Sequence, residues 1–508
     1  MRTYRRIAGV VVGLVLVLDL GHPGQPARAA DEPEHVPPLV SAPLHAPEQI
    51  QSTINGWLTF AASRRPPGGG GGTSGEAPLV GSSGVPQGVS SAVNVVGGGL
   101  DSYQGEPAIT FSNGRLVGGF NWIYPGACSS ATANCAPGAT TSTDRGETWT
   151  VSRVPIAGNT LGFDPSLSAD AAGTIYYAYG VCSGGCGSGN LLVATSSDGT
   201  SWTGHVVTPP QGGVFDDKPW VAADPNPARV GRAYIAWDRN QGNNQILYVS
   251  RTTNGGQSWS APVKVNDGNS KFERVIYAMP AVDPNNGTVY VVWMDYARKA
   301  LFVDKSTNGG TGWGADVKVA SLNVTFRDIG CNGGRSMTPA PYIAVDAQGW
   351  VYVTYADQKG TTGMDAYLVY SKNGGGTWLG PYRVNVNAAG HQYNPALSVI
   401  GSGIIHVSWL DRSDDGANCL TKTYSTVSSG FAANGTPTFS TPVAVTPLAS
   451  NFDGNPNGPG DYTGIVGYFA SGGGTAAMPI YPTHWQVDIV HQTGSAGGFE
   501  VYVTPVQP

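Results

Sequence analysis

The chain has 508 residues, 12% of them charged, and a formal net charge of −6. A nucleic-acid-binding protein would carry a basic stripe, so this composition argues against a nucleic-acid partner. The length would allow two or three average domains, but the 73 glycines favour a turn-rich fold that can hold this many residues as one domain.

The first 30 residues have the three parts of a secretory signal peptide. Three arginines give a positive start, Ile7–Leu20 is an apolar run, and Ala27–Ala29 is a small-residue cleavage site. The apolar run is shorter than a membrane span needs. We therefore predict a secreted, extracellular protein with no stable membrane insertion after the signal is cleaved.

The next segment, residues 31–90, is rich in Pro, Gly and Ser and contains the run Gly68–Gly72. Such a composition cannot bury enough apolar surface to pack, and it is typical of a linker. From residue 91 onward, alternating apolar strands and turn signals dominate. We predict a signal peptide over 1–30, a linker over 31–90 and a folded domain over 91–508.

A short motif, Ser/Thr-x-Asp/Asn-x-Gly-x-Thr/Ser-Trp, recurs in the folded segment. Its copies start 54 to 65 residues apart and are Ser142–Trp149, the one-residue-shorter Ser196–Trp202, Thr252–Trp259, Ser306–Trp313 and Ser371–Trp378. The Asp or Asn side chain can accept hydrogen bonds from backbone N–H groups of its own turn, and the Gly permits a positive φ. The Trp can pack between neighbouring sheets. Regular recurrence indicates one structural unit repeated along the chain.

A second landmark comes before the motif in each unit. It is a short strand that opens with proline or an equivalent, followed by an aromatic-rich strand. The first strands open at Pro107, Pro165, Pro219, Pro280, Pro341, Pro395 and, without the proline, Asp461. The second strands are predicted at Val117–Trp122, Ile175–Tyr179, Ala233–Trp237, Val289–Trp293, Val351–Tyr355, Ile404–Trp409 and Ala476–Pro482. With one strand before the motif and one after it, each unit has four antiparallel strands.

The repeated motif resembles the Asp-box, or BNR repeat, of the sialidase superfamily. In that family the box closes the turn between the third and fourth strands of a propeller blade, away from the active site. The resemblance implies an all-β fold, and the repeats predict a seven-bladed β-propeller, with six blades plus an embellishment as the alternative. Ser91–Val96 resembles a fourth strand, so we predict that it completes the last blade and closes the ring.

Loops before strand one and after strand two share the face that this family uses for its active site. Their aromatic, acidic and Arg side chains suit a sugar-binding funnel. The catalytic candidates are Glu106, Asp238, Asp295, Asp411 and Tyr462. The substrate-binding candidates are Arg274, Arg335, Arg412, His391, His484, Trp237 and Trp293. Because the Trp-x-Asp element recurs in several units, a structural role for its Asp is the alternative.

The catalytic pattern of the family does not carry over to this sequence. Sialidases use three arginines on the substrate carboxylate, a Tyr nucleophile with a Glu, and an Asp acid/base. Gly105–Ala108 stands where the first Arg belongs in an Arg-Ile-Pro element, and it contains Glu106 instead.

We therefore predict a sialidase-like glycoside hydrolase of acidic or decorated extracellular glycans, resembling an exo-α-sialidase. A polysaccharide lyase built on His391 or His484, with a Tyr and an Arg, is one alternative. A non-catalytic propeller that binds glycan or protein is the other. A cluster of Glu106 with Arg and Tyr would favour the hydrolase, and a His–Tyr–Arg cluster would favour the lyase.

Six cysteines in an exported protein favour disulfides. All lie in loops of the funnel face, and the predicted pairs are Cys128–Cys135, Cys182–Cys186 and Cys331–Cys419. Their expected effect is to stiffen long loops around the funnel.

A calcium loop is the last pattern in the sequence. Asp453, Asn455, Asn457 and Asp461 place oxygen ligands as in the first half of such a loop, but Gly464 stands where a bidentate Glu is expected. The same residue types also make plain turns. We expect no required cofactor, structural Ca²⁺ as an alternative use of this loop, a glycan or polysaccharide partner, and a monomer.

Overall fold

Short antiparallel strands make up nearly all of the regular structure in this computed structural model. The structure describes residues 93–94, 103–123, 135–183, 186–268, 274–332, 335–446, 449–453, 459–469, 484–493 and 499–506. All of them belong to one compact unit, Pro43–Pro508. The helical structure in these ranges is one turn of 3-10 helix, Pro227–Arg229. The described part of the protein is therefore all-β.

The strands follow one another in a repeating order along the chain. They are β1 (Val93–Asn94), β2 (Tyr103–Ser112), β3 (Arg115–Ile123), β4 (Gly138–Ser142), β5 (Thr150–Arg153), β6 (Leu161–Ala169), β7 (Ile175–Cys182), β8 (Gly189–Ser196), β9 (Thr203–Val206), β10 (Val214–Ala223), β11 (Ala233–Gln241), β12 (Asn244–Thr252), β13 (Val263–Lys264), β14 (Val275–Val282), β15 (Val289–Asp295), β16 (Ala300–Ser306), β17 (Val317–Ser321), β18 (Arg327–Asp328), β19 (Ser336–Met337), β20 (Tyr342–Val345), β21 (Val351–Asp357), β22 (Asp365–Ser371), β23 (Leu379–Arg383), β24 (Gln392–Ile400), β25 (Ile404–Asp411), β26 (Lys422–Phe431), β27 (Pro437–Phe439), β28 (Val443–Ala444), β29 (Gly464–Phe469), β30 (His484–Thr493) and β31 (Phe499–Val506).

Consecutive strands pair antiparallel in groups of four. The groups are β2–β5, β6–β9, β10–β13, β14–β17 and β20–β23, followed by β24, β25, β26 and β28. Strand β27 also pairs with β26, and β18 with β19 forms a separate two-stranded hairpin. This is the predicted four-stranded repeat. The count of seven blades and the closure of a ring remain predictions.

The first and last strands of the chain meet in one sheet. Strand β1 pairs antiparallel with β31, with Val93 opposite Val503, which is the pairing predicted for Ser91–Val96. Strand β31 also makes one parallel pair with β2, Tyr103 opposite Phe499. The group β29, β30, β31 and β1 is thereby continuous with the group β2–β5.

The second strand of this last group begins later than predicted. Strand β30 starts at His484, opposite Phe469 at the end of β29, and the predicted segment Ala476–Pro482 lies outside the described residues. Here strand one is β29 and strand two is β30, and the start of β30 lies beside the end of β29. His484 therefore lies at the end of the sheet away from the start of β29. The prediction that His484 lies in the loop after strand two was wrong, since the connection from β29 to β30 is longer than in the other repeats.

The repeated motif forms a hydrogen-bonded turn between strands three and four. In the first copy, the Gly146 N–H donates to Ser142 Oγ at 2.8 Å and the Thr148 N–H donates to Asp144 Oδ1 at 2.9 Å. Equivalent bonds recur in the copies that start at Thr252, Ser306 and Ser371. The Asp or Asn side chain therefore organises its own turn, as the sequence predicted.

Aromatic residues fill the space between adjacent groups. Trp202 of the shorter motif packs edge-on against Tyr177, and its Nε1 donates to Ser152 Oγ of the preceding group at 3.1 Å. Trp237, Trp293 and Trp409 are among the largest fully buried side chains. The sheets are thus held together by apolar packing along their faces.

Disulfides lie where the sequence predicted two of them. Cys182–Cys186 and Cys331–Cys419 are both bonded. Cys135 is also disulfide-bonded, and its predicted partner, Cys128, lies outside the described residues. These bonds are consistent with export. Within the described ranges, no helix has the length and apolar character to cross a membrane.

Candidate active site

First strands of five groups share a β-bulge. In each, two residues face one residue of strand two, and the leading residue of the two has a positive φ. These residues and angles are Glu106 (51°), Asp164 (52°), Lys218 (51°), Tyr277 (63°) and Asn394 (47°). Bulges re-aim side chains next to active sites, and a non-glycine residue in this conformation is destabilised by about 1–3 kcal/mol. Such strain in five equivalent strands marks this end of the sheets as the candidate site.

Four of the bulge residues meet side chains from neighbouring segments in one buried group, which we call the central cluster. It consists of Glu106, Asp164, Asp217, Lys218, Asp238, Tyr277, Arg335, Asp461 and Tyr462. The fifth bulge residue, Asn394, supports it from behind, because its Nδ2 donates to the Gly460 carbonyl at 3.0 Å.

Asp461 joins the two cations of the central cluster. Its Oδ2 accepts from Lys218 Nζ, and its Oδ1 accepts from Arg335 Nε at 3.1 Å. Lys218 Nζ also lies 3.0 Å from Asp164 Oδ2. Burial alone would raise the pKa of Asp461, but Arg335 and Lys218 outweigh burial and hold this pKa below its ordinary value. Asp461 is therefore ionised at neutral pH.

Glu106 and Asp164 form a carboxyl pair beside these cations. Their side chains hydrogen-bond to each other, and Glu106 Oε2 accepts from Asn121 Nδ2 at 2.8 Å. Glu106 Oε1 accepts from the Asp461 N–H at 3.1 Å and lies 3.7 Å from an Arg335 nitrogen. Burial, followed by the charge of Asp164, raises the pKa of Glu106 well above its ordinary value, and burial also raises the pKa of Asp164. The pair can hold one shared proton at neutral pH.

Asp217 and Asp238 form a second carboxyl pair. They lie opposite each other in β10 and β11, and both are buried. Burial is the main reason that the pKa of Asp217 rises to about 6 and that the pKa of Asp238 rises well above its ordinary value. Asp217 Oδ2 and Asp238 Oδ1 accept no hydrogen bond from any residue the structure describes. The pair thus offers unoccupied oxygens in addition to a proton-holding site.

Two tyrosines and a tryptophan border the carboxyl pairs. Tyr277 OH accepts from Thr338 Oγ1 at 3.1 Å, whereas Tyr462 OH has no partner in the described part of the chain. Burial raises the pKa of both phenols. The Tyr462 ring meets Trp220 edge-on, with centroids 5.2 Å apart, and Trp220 is only partly buried. Trp220 is therefore a partly exposed aromatic side chain next to Tyr462.

The cations connect the central cluster with solvent. The side chains of Arg335 and Lys218 are 13% and 11% exposed, compared with 1% for Glu106. Arg335 Nη1 is also unpaired among the described residues. Buried polar atoms are normally paired. The unpaired atoms of Arg335, Tyr462, Asp217 and Asp238 therefore indicate where a polar ligand would bind.

The central cluster contains part of the predicted site. Glu106, Asp238, Arg335 and Tyr462 come together in it, as does Asp461, which the sequence suggested as a calcium ligand. The cluster residues outside the predicted catalytic and binding set are Asp164, Asp217, Lys218 and Tyr277. A sequence signal existed for two of them, because Asp164 and Lys218 directly precede the proline of a first strand, as Glu106 does.

The other two predicted carboxylates lie in structural contacts. Asp295 Oδ1 accepts from the Arg298 N–H at 2.7 Å, and its Oδ2 is paired with the Arg298 side chain. Asp411 Oδ2 accepts from Trp409 Nε1 at 2.7 Å, and its Oδ1 accepts from the Ser413 N–H at 2.7 Å. Both contacts agree with the alternative that the Asp of the Trp-x-Asp element has a structural role.

Three predicted substrate-binding residues also lie outside the cluster. Trp237 and Trp293 are completely buried in the apolar contacts between groups, so neither presents a ring face to a sugar. The Arg274 side chain donates to the Asn243 carbonyl. The side chain of His484 lies outside the described residues.

Arg412 belongs to a different set of contacts, which we call the Arg412 network. The guanidinium is fully buried and donates to the carbonyls of the β18–β19 hairpin at Ile329 (3.0 Å), Gly330 (2.9 Å) and Cys331 (3.2 Å). It also donates to Asn418 O and Thr421 Oγ1. The Cys331–Cys419 disulfide lies beside these bonds. The network holds the hairpin segment that leads to Arg335.

His391 lies next to the Arg412 network. Its Nδ1 accepts from the Met364 N–H at 3.1 Å, and its carbonyl accepts from the Arg412 N–H. Burial, followed by the charge of Arg412, lowers the pKa of His391 to about 4. His391 is therefore neutral at physiological pH, with one ring nitrogen already hydrogen-bonded.

The calcium pattern has little support in the described residues. Asn455 and Asn457 lie outside the described ranges, and Asp461 is paired with Lys218 and Arg335. The Asp453 backbone N–H donates to Asn451 Oδ1 at 2.9 Å, as in a plain turn. The described part of the chain has no group of three or more His, Cys, Asp or Glu side chains that could hold a metal ion.

Comparisons with known proteins give fold likenesses only. No protein-family model matches the chain, and no curated protein matches it significantly. A Hadza microbial sialidase matches with a TM-score of 0.43 and 17% identity, covering 60% of this chain and 63% of the sialidase. An ulvan lyase of a polysaccharide lyase family matches with a TM-score of 0.48 and 14% identity, covering 81% of this chain and 95% of the lyase. A mutant α-L-arabinofuranosidase from Fusarium graminearum matches with a TM-score of 0.46 and 15% identity, covering 82% and 98%. Similarities of this size say nothing about the activity or substrate of the present chain.

Proposed function

We propose that this protein is a secreted glycoside hydrolase with a seven-bladed propeller fold, and that the central cluster is its active site. The observation that carries the proposal is that two buried carboxyl pairs, Glu106–Asp164 and Asp217–Asp238, both interact with Lys218. Glycoside hydrolysis needs two carboxyl groups, one to protonate the leaving oxygen and one to attack or to activate water.

The two pairs are suited to different roles. Glu106 and Asp164 share a proton in a buried site and supply the general acid. Asp217 has a pKa of about 6, so it is mostly ionised at neutral pH, and it is the better base. Asp238 is its protonated neighbour. Lys218 and Arg335 keep Asp461 ionised, and the Asp461 N–H and Arg335 hold the Glu106 carboxyl group in position.

The contacts favour a hydrolase over a lyase. Glu106 lies with Arg335 and two tyrosines, which is the grouping expected of the hydrolase. A His–Tyr–Arg group does exist at His391, Tyr393 and Arg412, but Arg412 is saturated with backbone carbonyls and Tyr393 OH bonds to Thr421 Oγ1. Arg412 and Tyr393 are therefore buried and paired and have no free atom with which to neutralise a uronate or abstract a proton, and Nδ1 of His391 already accepts from the Met364 N–H.

A sialidase-like reaction is the less well supported form of the proposal. Of the three predicted binding arginines, only Arg335 reaches the central cluster, and Arg412 is used elsewhere. The sequence also lacks the Arg of the Arg-Ile-Pro element. A single arginine that is already paired with Asp461 would bind a sialic acid carboxylate only weakly.

The test is hydrolysis of a panel of aryl and alkyl glycosides by the mature protein and by Glu106→Gln. We expect Glu106→Gln to lose about 10²- to 10⁴-fold in kcat on alkyl glycosides, since these need a proton at the leaving oxygen. Dinitrophenyl glycosides, whose leaving group needs no proton, should be hydrolysed at nearly the unchanged rate. Asp295→Asn is the matched control, a buried carboxylate outside the cluster, and it should leave both rates unchanged.

Two results would contradict the proposal. One is a wild-type protein that hydrolyses no glycoside. The other is a Glu106→Gln variant that loses alkyl and dinitrophenyl substrates equally, which would exclude a general acid at this position. Release of an unsaturated, ultraviolet-absorbing uronide from a polysaccharide would instead favour the lyase.

A further inference from the structure

The central cluster contains more carboxyl groups than cations. It contains five carboxyl groups (Glu106, Asp164, Asp217, Asp238 and Asp461) and two cations, Lys218 and Arg335. An anionic sugar entering the cluster would therefore meet an excess of negative or proton-sharing groups.

The two cations are already engaged. Lys218 Nζ contacts both Asp164 and Asp461, and Arg335 contacts Asp461 and Glu106. A uronate or sialate carboxylate is bound best by a free guanidinium fork with two parallel N–H groups. Asp461 occupies the Nε–Nη2 edge of Arg335, and Glu106 Oε1 lies 3.7 Å from Nη2, so a sugar carboxylate would have to compete with Glu106 for the remaining Nη1–Nη2 edge.

The unpaired atoms match hydroxyl groups instead. Asp217 Oδ2 and Asp238 Oδ1 are acceptors, Arg335 Nη1 is a donor, and Tyr462 OH is both. All four side chains are buried or nearly buried. Sugar hydroxyls donate and accept hydrogen bonds, so an uncharged ring can satisfy both kinds of atom, and the partly exposed face of Trp220 can pack against its C–H groups.

We infer that the central cluster binds an uncharged sugar residue and excludes sugars that carry a carboxylate. This inference rests on the proposed function, and it names Asp217 and Asp238 as the residues that determine the specificity. A carboxylate on the sugar would lie against the unpaired oxygen of the ionised Asp217, where like charges repel.

The experiment compares matched pairs of aryl glycosides that differ only in a carboxylate, such as galactosides with galacturonides and glucosides with glucuronides, together with a sialoside. We expect kcat/KM to favour the neutral member by about 100-fold or more. Asp217→Asn removes one negative charge at the specificity position and should lower the ratio about 10-fold. Asp414→Asn removes the charge of a side chain that is 41% exposed and is paired with Lys422 outside the cluster, and it should leave the ratio unchanged.

Binding is measured in parallel, so that the two proposals can fail separately. Titration calorimetry with Glu106→Gln uses neutral oligosaccharides and their uronate counterparts as ligands. Preferential hydrolysis of the uronide or sialoside would overturn the inference and leave the hydrolase intact. Binding of neutral oligosaccharides without hydrolysis by the wild type would overturn the hydrolase and support the inference. If neither class binds, both are wrong.

Discussion

Arg335 lies in the β18–β19 hairpin and Arg412 binds the carbonyls of that hairpin, but the surroundings of the two guanidinium groups differ in kind. Arg412 directs its nitrogens to backbone carbonyls and a threonine hydroxyl. Arg335 faces the carboxylates of Asp461 and Glu106 and leaves Nη1 unpaired among the described residues. One arginine completes the protein's own hydrogen bonding, whereas the other leaves it incomplete.

This difference distinguishes an arginine that stabilises the fold from one that can bind a substrate. A guanidinium that satisfies carbonyls stabilises the fold and has nothing left for a ligand. One held between carboxylates, with a free N–H and a solvent-exposed edge, can bind a substrate group. The arrangement also joins the two roles, because the Arg412 network holds the segment that carries Arg335.

Of the two arginine variants, Arg335→Lys is expected to have the larger effect on activity. The variant keeps the positive charge beside Asp461 but loses the planar fork, so the free energy of unfolding should change by less than about 1 kcal/mol. Activity should fall about 100-fold in kcat/KM, because a donor aimed at the reacting sugar is lost. Chemical denaturation and steady-state kinetics on the same preparation measure both quantities. A stable variant with full activity would remove Arg335 from the site.

The opposite outcome is expected for Arg412→Lys. One ammonium cannot replace a fork that serves four carbonyls and a hydroxyl, so several buried carbonyls lose their donor and the variant should lose about 3 kcal/mol of stability. The folded molecules should keep a kcat within about twofold of the wild type. Total activity should fall only because a smaller population is folded. A stable variant with reduced kcat would place Arg412 in the reaction instead of in the support.

Sequence alone could not distinguish these two arginines. Arg335 and Arg412 both break the repeat, and both were predicted to bind substrate. What separates them is the convergence of the Ile329, Gly330 and Cys331 carbonyls on Arg412, which is a contact between segments about 80 residues apart. No local pattern encodes that contact.

The repeated parts were easier to predict because their chemistry is local. The turn at Ser142–Trp149 closes on itself through Asp144 and Ser142, so its motif specifies its geometry. The bulge residues are intermediate between the local turns and the long-range contacts of Arg412. The Glu106-Pro107 and Lys218-Pro219 pairs are visible in the sequence, but the positive φ that turns their side chains inward depends on pairing with strand two.

A smaller effect is expected from Gly460→Ala. Gly460 has a φ of 82°, and an added Cβ would come within 2.6 Å of Glu106 Cγ. The substitution should therefore displace Glu106 and destabilise the fold by about 2 kcal/mol. We expect kcat to fall about 10-fold, measured against Gly403→Ala as the control. Gly403 also has a positive φ, of 95°, but lies against Tyr352 and Asp346, away from the cluster. Equal losses of kcat in the two variants would show that strain alone, and not the contact with Glu106, explains the effect.

An effect of similar size is the pH dependence that Asp217 contributes to the activity. Because burial raises its pKa to about 6, Asp217 loses its proton as the pH rises through that value. If it is the base, kcat/KM should increase about tenfold between roughly pH 5 and pH 7 and then level off. Asp217→Asn has no proton to lose and should flatten this limb while lowering the plateau. A limb that persists unchanged in Asp217→Asn would assign it to another carboxyl group, and Asp238→Asn would then be the variant that removes it.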